Sequence, residues 1–208
     1  LSVGYNRRFA PMAVKMKAFF ARPGEPLFIH YRVNAGMIPL SHWTQDLEQG
    51  GGRIIGEGCH FLDFLAFIVG EAPLSVSAYG LPDTSRYRED NVTITLFFPN
   101  GSLGLVSYLA NGNKLLPKER VEVFSAGKVG ILDDFRRLEL IQENHRHVFQ
   151  SRFRQDKGHL QAWQGFLQSI EQGGDPPIPY QALIDSSLST LAAAHSAATH
   201  KPVSIPFG

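Results

Sequence analysis

The first part of the chain changes from a helical to an alternating pattern of apolar and polar residues. Residues 1–5 are typical of the end of a strand. The apolar positions of residues 14–20 recur at helical spacing after Pro11, which predicts an amphipathic helix to about Ala21, stopped by Pro23-Gly24. Along residues 26–34 apolar and polar side chains then alternate, which predicts a strand with one face in the core. The polar positions on its other face are His30, Arg32 and Asn34.

The middle of the chain consists of short alternating segments separated by turn residues, which predicts consecutive hairpins. The predicted strands are 74–79, 91–98, 102–110, 121–124, 129–132, 137–142 and 146–153. Hairpins joined in series produce a largely antiparallel sheet. Several of these strands have apolar residues at both odd and even positions, such as Leu105 and Val106. We therefore expect one face of the sheet to carry helices and the other to be covered by a partner subunit.

Two helices are predicted near the end of the chain. The first is opened by Asp156 as its N-cap and closes at Gly173-Gly174, and the second covers residues 180–199, which are rich in alanine and leucine. A short strand follows the second helix. The fold class is therefore α+β, with a largely antiparallel open-faced sheet and helices packed on one face.

A glycine-rich stretch precedes the most apolar helix of the chain. Residues 50–52 are three consecutive glycines, which permit positive φ and close approach of the backbone to another group. The apolar helix that follows ends at Gly70, a good C-cap signal. Glu57, His60 and Asp63 are spaced by three and fall roughly on one face of its first turns. Ionisable groups there serve either as caps and core hydrogen bonds or as a functional site.

This stretch resembles the C-terminal domain of the Gfo/Idh/MocA oxidoreductases, which include glucose–fructose oxidoreductase and inositol dehydrogenases. The resemblance implies that His60 is a catalytic acid/base near a sugar hydroxyl and the nicotinamide. The family's usual Asp four residues before the His is Gly56 here, and the carboxylate is Glu57, our second predicted catalytic residue. The Gly-Glu-x-Cys-His-Phe form is similar to a bacterial subgroup linked to surface-polysaccharide synthesis, in which this module follows an alcohol-dehydrogenase-like half.

The resemblance also implies a nucleotide-binding domain, whose sequence signals are not found here. No Gly-x-Gly-x-x-Gly follows a strand, and no Glu-Lys-Pro is present. We expect residues 1–208 to form a single substrate-binding and oligomerisation domain, with the Rossmann domain and the usual catalytic lysine outside this chain. Arg8, in the segment that resembles the domain junction, is the predicted contact to the cofactor. NAD or NADP is expected in the full-length parent, and none is expected to bind this chain tightly.

Substrate contacts are predicted at a few polar and aromatic positions. Arg32 and Asn34 suit sugar hydroxyls or a phosphate, although a solvated strand face is the alternative. Trp43 suits a sugar ring, and the resemblance supports a substrate-side place for it, although a loop tryptophan can also simply pin its loop. Gly51 and Gly52 would let the loop approach the sugar. The resulting hypothesis is that His60 lines a solvent-accessible pocket together with Arg32 or Trp43.

Composition and charge exclude several classes of partner. The net charge is +1, so we expect neither nucleic acid nor an anionic membrane as a partner, and no apolar run is long enough to span a membrane. Cys59 is the only cysteine, which fits the cytoplasm. His145 and His147 alternate on one predicted strand face, but further ligands are not evident. A solvated edge is favoured there, and no metal site is predicted.

The predicted function follows from the glycine stretch and the resemblance together. It is the substrate-binding and oligomerisation domain of an NAD(P)-dependent sugar or sugar-nucleotide dehydrogenase, which transfers hydride at a sugar carbinol carbon in its full-length parent. This chain by itself is expected to be inactive. The alternative is a non-catalytic binding or assembly module of the same fold, and its best support is Gly56.

Overall fold

A computed structural model describes residues 2–21, 24–46, 48–151 and 154–206. The helices of this part are α1 (Pro11–Phe20), α2 (Cys59–Val69), α3 (His159–Gln172) and α4 (Tyr180–Thr199). The strands are β1 (Phe28–Asn34), β2 (Ser75–Gly80), β3 (Asn91–Phe97), β4 (Leu103–Leu109), β5 (Glu119–Ser125), β6 (Lys128–Asp133), β7 (Arg137–Gln142), β8 (His145–Gln150) and β9 (Val203–Ser204). No helix in these ranges is both long and apolar enough to cross a membrane.

All nine strands belong to one sheet, in the order β8-β7-β6-β5-β1-β4-β3-β2-β9. Neighbouring strands are antiparallel except β1 and β4, which pair in parallel from Phe28↔Leu103 to Asn34↔Leu109. The parallel pair arises because the chain leaves β1, forms α2, β2 and β3, and then returns to β1 as β4. The α+β class and the largely antiparallel sheet are confirmed.

One face of the sheet holds the core and carries helices, as predicted. Tyr31 of β1 points to this face and packs edge-on against Phe61 and Phe64 of α2, at centroid distances of 5.1 and 5.3 Å. The helix approaches the sheet closely at Gly104, where a Cβ atom would lie 2.8 Å from Leu65 Cδ1. α4 covers β2, and α1 covers β6 and β7. The buried side chains of this face form one continuous apolar cluster.

The outer face of the sheet has a row of apolar side chains that no helix of the described residues covers. Strand register places them side by side across six neighbouring strands. The members of this outer row are Phe97, Leu103, Phe28, Phe124, Val129 and Ile141. Phe28 is 46% exposed and Phe124 42%, so they remain open to solvent within this chain. Leu103 and Leu105 point outwards while Val106 and Tyr108 are buried among the helices, as the alternation predicted.

Local predictions were wrong in two places. Residues 2–5 form no strand; instead the Tyr5 and Asn6 amides donate to Val3 O and Gly4 O in tight turns, at 2.8 Å each. Asp156 is not the N-cap of α3, because the helix begins one residue after Gly158, whose φ is 81°. Asp156 Oδ1 instead accepts the Gly158 amide at 2.8 Å. Pro23 and the last two residues of the predicted strand 146–153 lie outside the described residues.

Candidate functional site

The glycine triplet forms a tight link between two turns. Gly51 and Gly52 have φ of 70° and 80°, which only glycine adopts readily. At Gly50 a Cβ atom would lie 2.5 Å from both Trp43 O and the Cα atom of Thr44. The close approach that the glycines predicted is therefore made to the preceding turn of this chain. A π-helical turn, Ile54–Gly58, then leads into α2, and such turns are frequent at functional sites.

Glu57 lies in this π-helical turn and is held by three donors. Arg53 Nη2 approaches its Oε2 at 2.8 Å and Lys118 Nζ its Oε1 at 3.4 Å, while the Tyr108 hydroxyl donates to Oε2. Burial raises the pKa of Glu57, but the hydrogen bond from Tyr108 and the charges of Lys118 and Arg53 outweigh burial and lower the pKa to about 2. Glu57 is therefore a fixed anion at neutral pH.

Tyr108 links Glu57 to the interior. Arg53 Nε donates to the Tyr108 hydroxyl at 2.6 Å, so the phenol receives one hydrogen bond and passes another to Glu57. Burial and the Glu57 charge raise the pKa of Tyr108. Sequence reasoning missed this chain of contacts. The four-residue spacing of Arg53 and Glu57, which brings side chains together on a helix, was the available signal.

His60 occupies a half-buried niche one turn beyond Glu57. The Tyr5 ring meets its imidazole edge-on at 5.8 Å, and His60 Nδ1 is buried without a hydrogen-bond partner among the described residues. Burial and the positive charge of Arg7 lower the pKa of His60 to about 4. The imidazole is therefore neutral at pH 7, which is the form that accepts a proton.

Beside this niche lies a buried ion network centred on Glu119, which is 1% exposed. Its carboxylate receives Arg7 Nε at 2.7 Å and Nη2 at 3.0 Å, Lys157 Nζ at 2.5 Å and the Tyr31 hydroxyl. Burial raises the pKa of Glu119, but the Arg7 and Lys157 contacts outweigh it and lower the pKa to about 2. The network has two cations for one carboxylate, and it ties the connector before α1 to β5 and to the segment before α3.

Asn6 joins the connector before α1 to the segment before α3. Its Nδ2 donates to Lys157 O at 2.7 Å and lies 3.3 Å from His159 Nε2. Sequence reasoning did not identify Asn6 or Glu119, because their partners lie more than 100 residues away along the chain. Long-range pairs of this kind leave no periodic signal in one sequence.

Arg8, the predicted cofactor contact, is engaged within the chain. Its Nε donates to Asp63 Oδ2 at 3.1 Å, and its Nη2 donates to Oδ1. Ser186 of α4 donates to the same carboxylate at 3.0 Å. Burial raises the pKa of Asp63, although the hydrogen bonds from Arg8 and Ser186 oppose the rise. Asp63, the third member of the predicted ionisable face, therefore anchors Arg8 between α2 and α4.

The predicted substrate residues on β1 do not lie beside His60. Tyr31 points towards α2, so Arg32 points to the opposite face of the sheet, where its Nη1 donates to Pro117 O at 2.8 Å. Asn34 Nδ2 donates to Asn113 O and Leu116 O, at 2.7 and 2.9 Å. The hypothesis of a pocket shared by His60 and Arg32 is wrong, because the sheet separates them. Both β1 residues instead support the loop that leads to β5.

Trp43 is 59% exposed and lies in a short 3₁₀ turn, Trp43–Gln45. It lines an open cavity of about 470 Å³ together with His42 and Arg88, and His60 is not part of that lining. The cavity at Trp43 therefore does not include His60. Gly51 and Gly52 lie in the loop just after this turn, so these three predicted substrate residues are neighbours.

A half-buried neutral histidine at the start of an apolar helix, beside an ion-paired carboxylate, defines a candidate proton-transfer site on an open α+β sheet. Residues 24–205 match the profile of the Gfo/Idh/MocA oxidoreductase family, C-terminal alpha/beta domain. The chain belongs to this family. The resemblance carried by residues 50–70 is thereby confirmed, and no curated protein sequence matches the chain.

Solved structures of oxidoreductases share the fold. Levoglucosan dehydrogenase, in complex with NADH and levoglucosan, superposes with a TM-score of 0.82 at 18% identity, covering 99% of this chain and 66% of its own. An oxidoreductase domain protein from Kribbella flavida gives 0.81 at 18% identity, with coverages of 98% and 65%. A putative myo-inositol dehydrogenase from Sinorhizobium meliloti 1021 gives 0.73 at 20%, with coverages of 98% and 65%. The chain spans less than two thirds of the length of these structures.

Proposed function

We propose that this chain is the substrate-binding and oligomerisation domain of an NAD(P)-dependent sugar or sugar-nucleotide dehydrogenase of the cytoplasm. The observation that carries the proposal is His60, a neutral imidazole at the start of α2 in a chain of this oxidoreductase family. Levoglucosan dehydrogenase, which binds NADH and a sugar, and an aldose-aldose oxidoreductase from Caulobacter crescentus share the fold and support a sugar substrate. The form of residues 56–61 supports a role in polysaccharide synthesis.

The described residues do not fit a whole dinucleotide. Tight pyrophosphate binding needs a glycine turn between a strand and a helix N-terminus. Here the glycine triplet follows the Trp43 turn, and Gly50 packs on that turn rather than leaving space for a phosphate. In our proposal NAD or NADP is held by a further domain of the full-length parent, which corresponds to the part of the relatives that this chain does not match. That cofactor is the hydride acceptor.

His60 is proposed as the base that takes the proton of the reacting sugar hydroxyl. An imidazole whose pKa is lowered by burial stays neutral and keeps a free lone pair at neutral pH. Glu57 cannot exchange a proton at that pH, because its pKa is about 2. Its proposed catalytic role is therefore electrostatic: a fixed negative charge one turn before His60 favours the imidazolium that forms when the proton arrives.

The remaining predicted residues either contact the substrate or support the site indirectly in the proposal. Trp43, Gly51 and Gly52 form one side of the substrate site, since the loop between the Trp43 turn and Glu57 contains both glycines. Arg32 and Asn34 act through the loop that they support, because the next residue after Pro117 is Lys118, a partner of Glu57. Arg8 acts on the cofactor side by holding Asp63 one turn after His60.

The test of the catalytic role is a turnover assay of a longer chain that carries a dinucleotide-binding domain before these residues. His60→Ala should lower kcat about 10²- to 10⁴-fold, the usual contribution of a general base, when NADH formation is followed with a sugar panel. His195→Ala, on α4, is the matched control and should leave kcat unchanged. Equal rates for the His60 variant and the wild type would contradict the proposal.

The 208-residue chain offers a second test of where the cofactor is held. We expect no turnover from this chain and weak or no binding of NAD and NADP by calorimetric titration, because too few contacts are available to offset the cost of immobilising a large flexible ligand. Micromolar binding would show that the cofactor site lies within these residues.

Oligomerisation is proposed through the outer face of the sheet. The outer row of Phe97, Leu103, Phe28, Phe124, Val129 and Ile141 is a continuous apolar strip across six strands. A second copy related by a two-fold axis would bury it, with an interface larger than about 1,000 Å² in total. Phe28→Glu should shift the chain to monomer in sedimentation experiments at micromolar concentration. A wild-type monomer under these conditions would contradict the interface.

The second candidate is a non-catalytic binding or assembly module of the same fold. It is favoured by Gly56, which stands where the resembled family has its Asp, and by the Glu57 carboxylate, which is engaged within the chain by Arg53, Tyr108 and Lys118. This candidate predicts that His60→Ala leaves every measured activity of the longer chain unchanged while assembly persists. The turnover assay therefore separates the two candidates.

A further inference from the structure

A cavity separate from the His60 niche lies between α1, the end of α2 and the beginning of α4. Its volume is about 490 Å³, within the range of small-molecule pockets. Small residues at Ala66, Gly70 and Ala182 leave this space open, and Arg8 and Lys17 both line it. The cavity is thus a concave site with two cations in its wall.

The two cations lie over one aromatic ring. Arg8 Cζ is 5.5 Å and Lys17 Nζ is 4.3 Å from the centre of the Phe67 ring. The charge of Arg8 is offset by Asp63, but no carboxylate in the described ranges lies within 4.0 Å of Lys17 Nζ. Burial and the charge of Arg8 lower the pKa of Lys17. A half-buried ammonium in this position lacks a counter-ion that an anionic ligand would supply.

The other side of the cavity carries acceptors rather than donors. Glu71, which is exposed, and Asp185 of α4 both line it. Asp185 Oδ1 already accepts Gln181 Nε2 at 2.9 Å, and Ser186 Oγ is used by Asp63. These two carboxylates would repel a compact anion that filled the cavity. They would instead accept hydrogen bonds from hydroxyl groups at the far end of a longer ligand.

From this division of charge we propose that the cavity binds an anionic carbohydrate, a sugar phosphate or a sugar acid. Its phosphate or carboxylate group lies between Arg8 and Lys17, and its hydroxyls donate to Glu71 and Asp185. Pro177 and Pro179 supply apolar surface for the C–H faces of the sugar. The site does not depend on the proposed catalytic role of His60, which lies about one helical turn before Asp63 on α2.

The test is calorimetric titration of the 208-residue chain at constant ionic strength with four probes. Glucose 6-phosphate and gluconate carry both features, whereas glucose carries only hydroxyls and inorganic phosphate only charge. We expect saturable one-to-one binding of at least one anionic sugar, with glucose and phosphate weaker by about tenfold or more, the effect of losing one charge-assisted hydrogen bond. Which anionic sugar binds identifies the group, phosphate or carboxylate, held by the two cations.

Variants at two lysines of α1 provide the matched comparison. Lys17→Gln should weaken binding of the anionic sugar by about tenfold or more, and Lys17→Arg should restore most of the affinity. Lys15→Gln is the control, because Lys15 lies over the Phe149 ring at 5.0 Å, away from the cavity. Circular dichroism verifies that each variant is folded.

Three outcomes would overturn the proposal. The first is that neither glucose 6-phosphate nor gluconate shows saturable binding to the folded wild type. The second is equal affinity of the wild type and Lys17→Gln. The third is binding of inorganic phosphate as tight as that of glucose 6-phosphate, which would mean an adventitious anion rather than a carbohydrate site. The His60→Ala turnover assay tests the proposed function independently of all three.

Discussion

Strand β5 carries an ion cluster on each face of the sheet, and the two clusters differ in solvation and in the balance of charges. On the helix side, Glu119 is almost fully buried and binds Arg7 and Lys157. On the outer side, Arg120 contacts Glu122 at 2.9 Å and Asp133 at 2.6 Å. In that outer cluster each of the three side chains is 29–37% exposed.

Ion clusters one position apart on β5 therefore have different energetic consequences. An ion pair in water contributes little to stability, since solvent screens it and the side chains lose entropy when they pair. A buried pair adds little net stability either, but removing one partner leaves an uncompensated charge in a low dielectric. The Glu119 cluster is consequently the sensitive one, and it is also the cluster that positions the residues around His60.

The largest expected effect is the loss of the buried carboxylate. Glu119→Gln should lower the free energy of unfolding by about 3–5 kcal/mol, because Arg7 and Lys157 would keep their charges without a counter-ion. Glu122→Gln, three residues along the same strand, should change it by less than about 1 kcal/mol. Urea denaturation of both variants measures the difference. Similar losses of unfolding free energy in the two variants would contradict the conclusion that the buried cluster is the sensitive one.

The pH dependence of stability provides a second measure of the buried Glu119 carboxylate. The pKa of Glu119 is depressed to about 2, so its contribution to stability is present above the unfolded-state pKa, near 4.5, and is lost as the pH falls towards 2. Glu119→Gln should therefore flatten the acid side of the stability curve between pH 4.5 and 2.

His60 should produce a dependence at higher pH. Its folded pKa of about 4 lies below the ordinary histidine pKa of 6.5, so the unfolded state binds more protons between these values and stability rises with pH across that window. His60→Gln should lose this slope between pH 4 and 6.5, as measured by thermal unfolding at a series of pH values. His147→Gln, at an exposed position on β8, is the control. A slope that persists in the His60 variant would show that another group causes it.

The smallest expected effect on stability concerns Tyr108, which donates a hydrogen bond to Glu57. Tyr108→Phe should cost about 1–2 kcal/mol, because Arg53 and Glu57 lose a shared hydrogen-bond partner in a buried position. Tyr79→Phe, which removes an exposed hydroxyl that donates to His200 O at 3.2 Å, should cost less than about 0.5 kcal/mol. Denaturation curves of the two variants provide the check, and the opposite ranking would contradict burial as the deciding factor.

Much of the fold could be predicted because strands and helices have fixed side-chain periods. The alternation of β1 and of the β3–β4 hairpin, and the helix that ends at Gly70, follow directly from those periods. The strand predicted for residues 1–5 was wrong, because apolar residues in so short a segment pack equally well in turns, and Tyr5 is buried there beside His60. Periodicity carries no information about such a segment.

The geometry of the candidate site could not be predicted from the sequence. His60 and Glu57 were identified from the glycine stretch and the family resemblance, whereas the sheet separates Arg32 from them. Arg32 and Trp43 lie in different parts of the sequence, and only the packing of β1 against α2 shows that Arg32 points away from His60. The side-chain types of both residues suggested sugar binding. A sequence shows which functional groups are present, but it does not show where each side chain points in the folded protein.

The neighbouring residues Arg7 and Arg8 show most clearly how sequence information differs from tertiary information. From the sequence alone, Arg7 and Arg8 are adjacent cations before a helix, within a chain whose side-chain periods predict an α+β sheet. Only the tertiary structure assigned Glu119 to Arg7 and Asp63 to Arg8, partners 112 and 55 residues away. The physical reason is that ion pairing depends on distance and burial, and both arise only when β5 and α2 close over the connector between them.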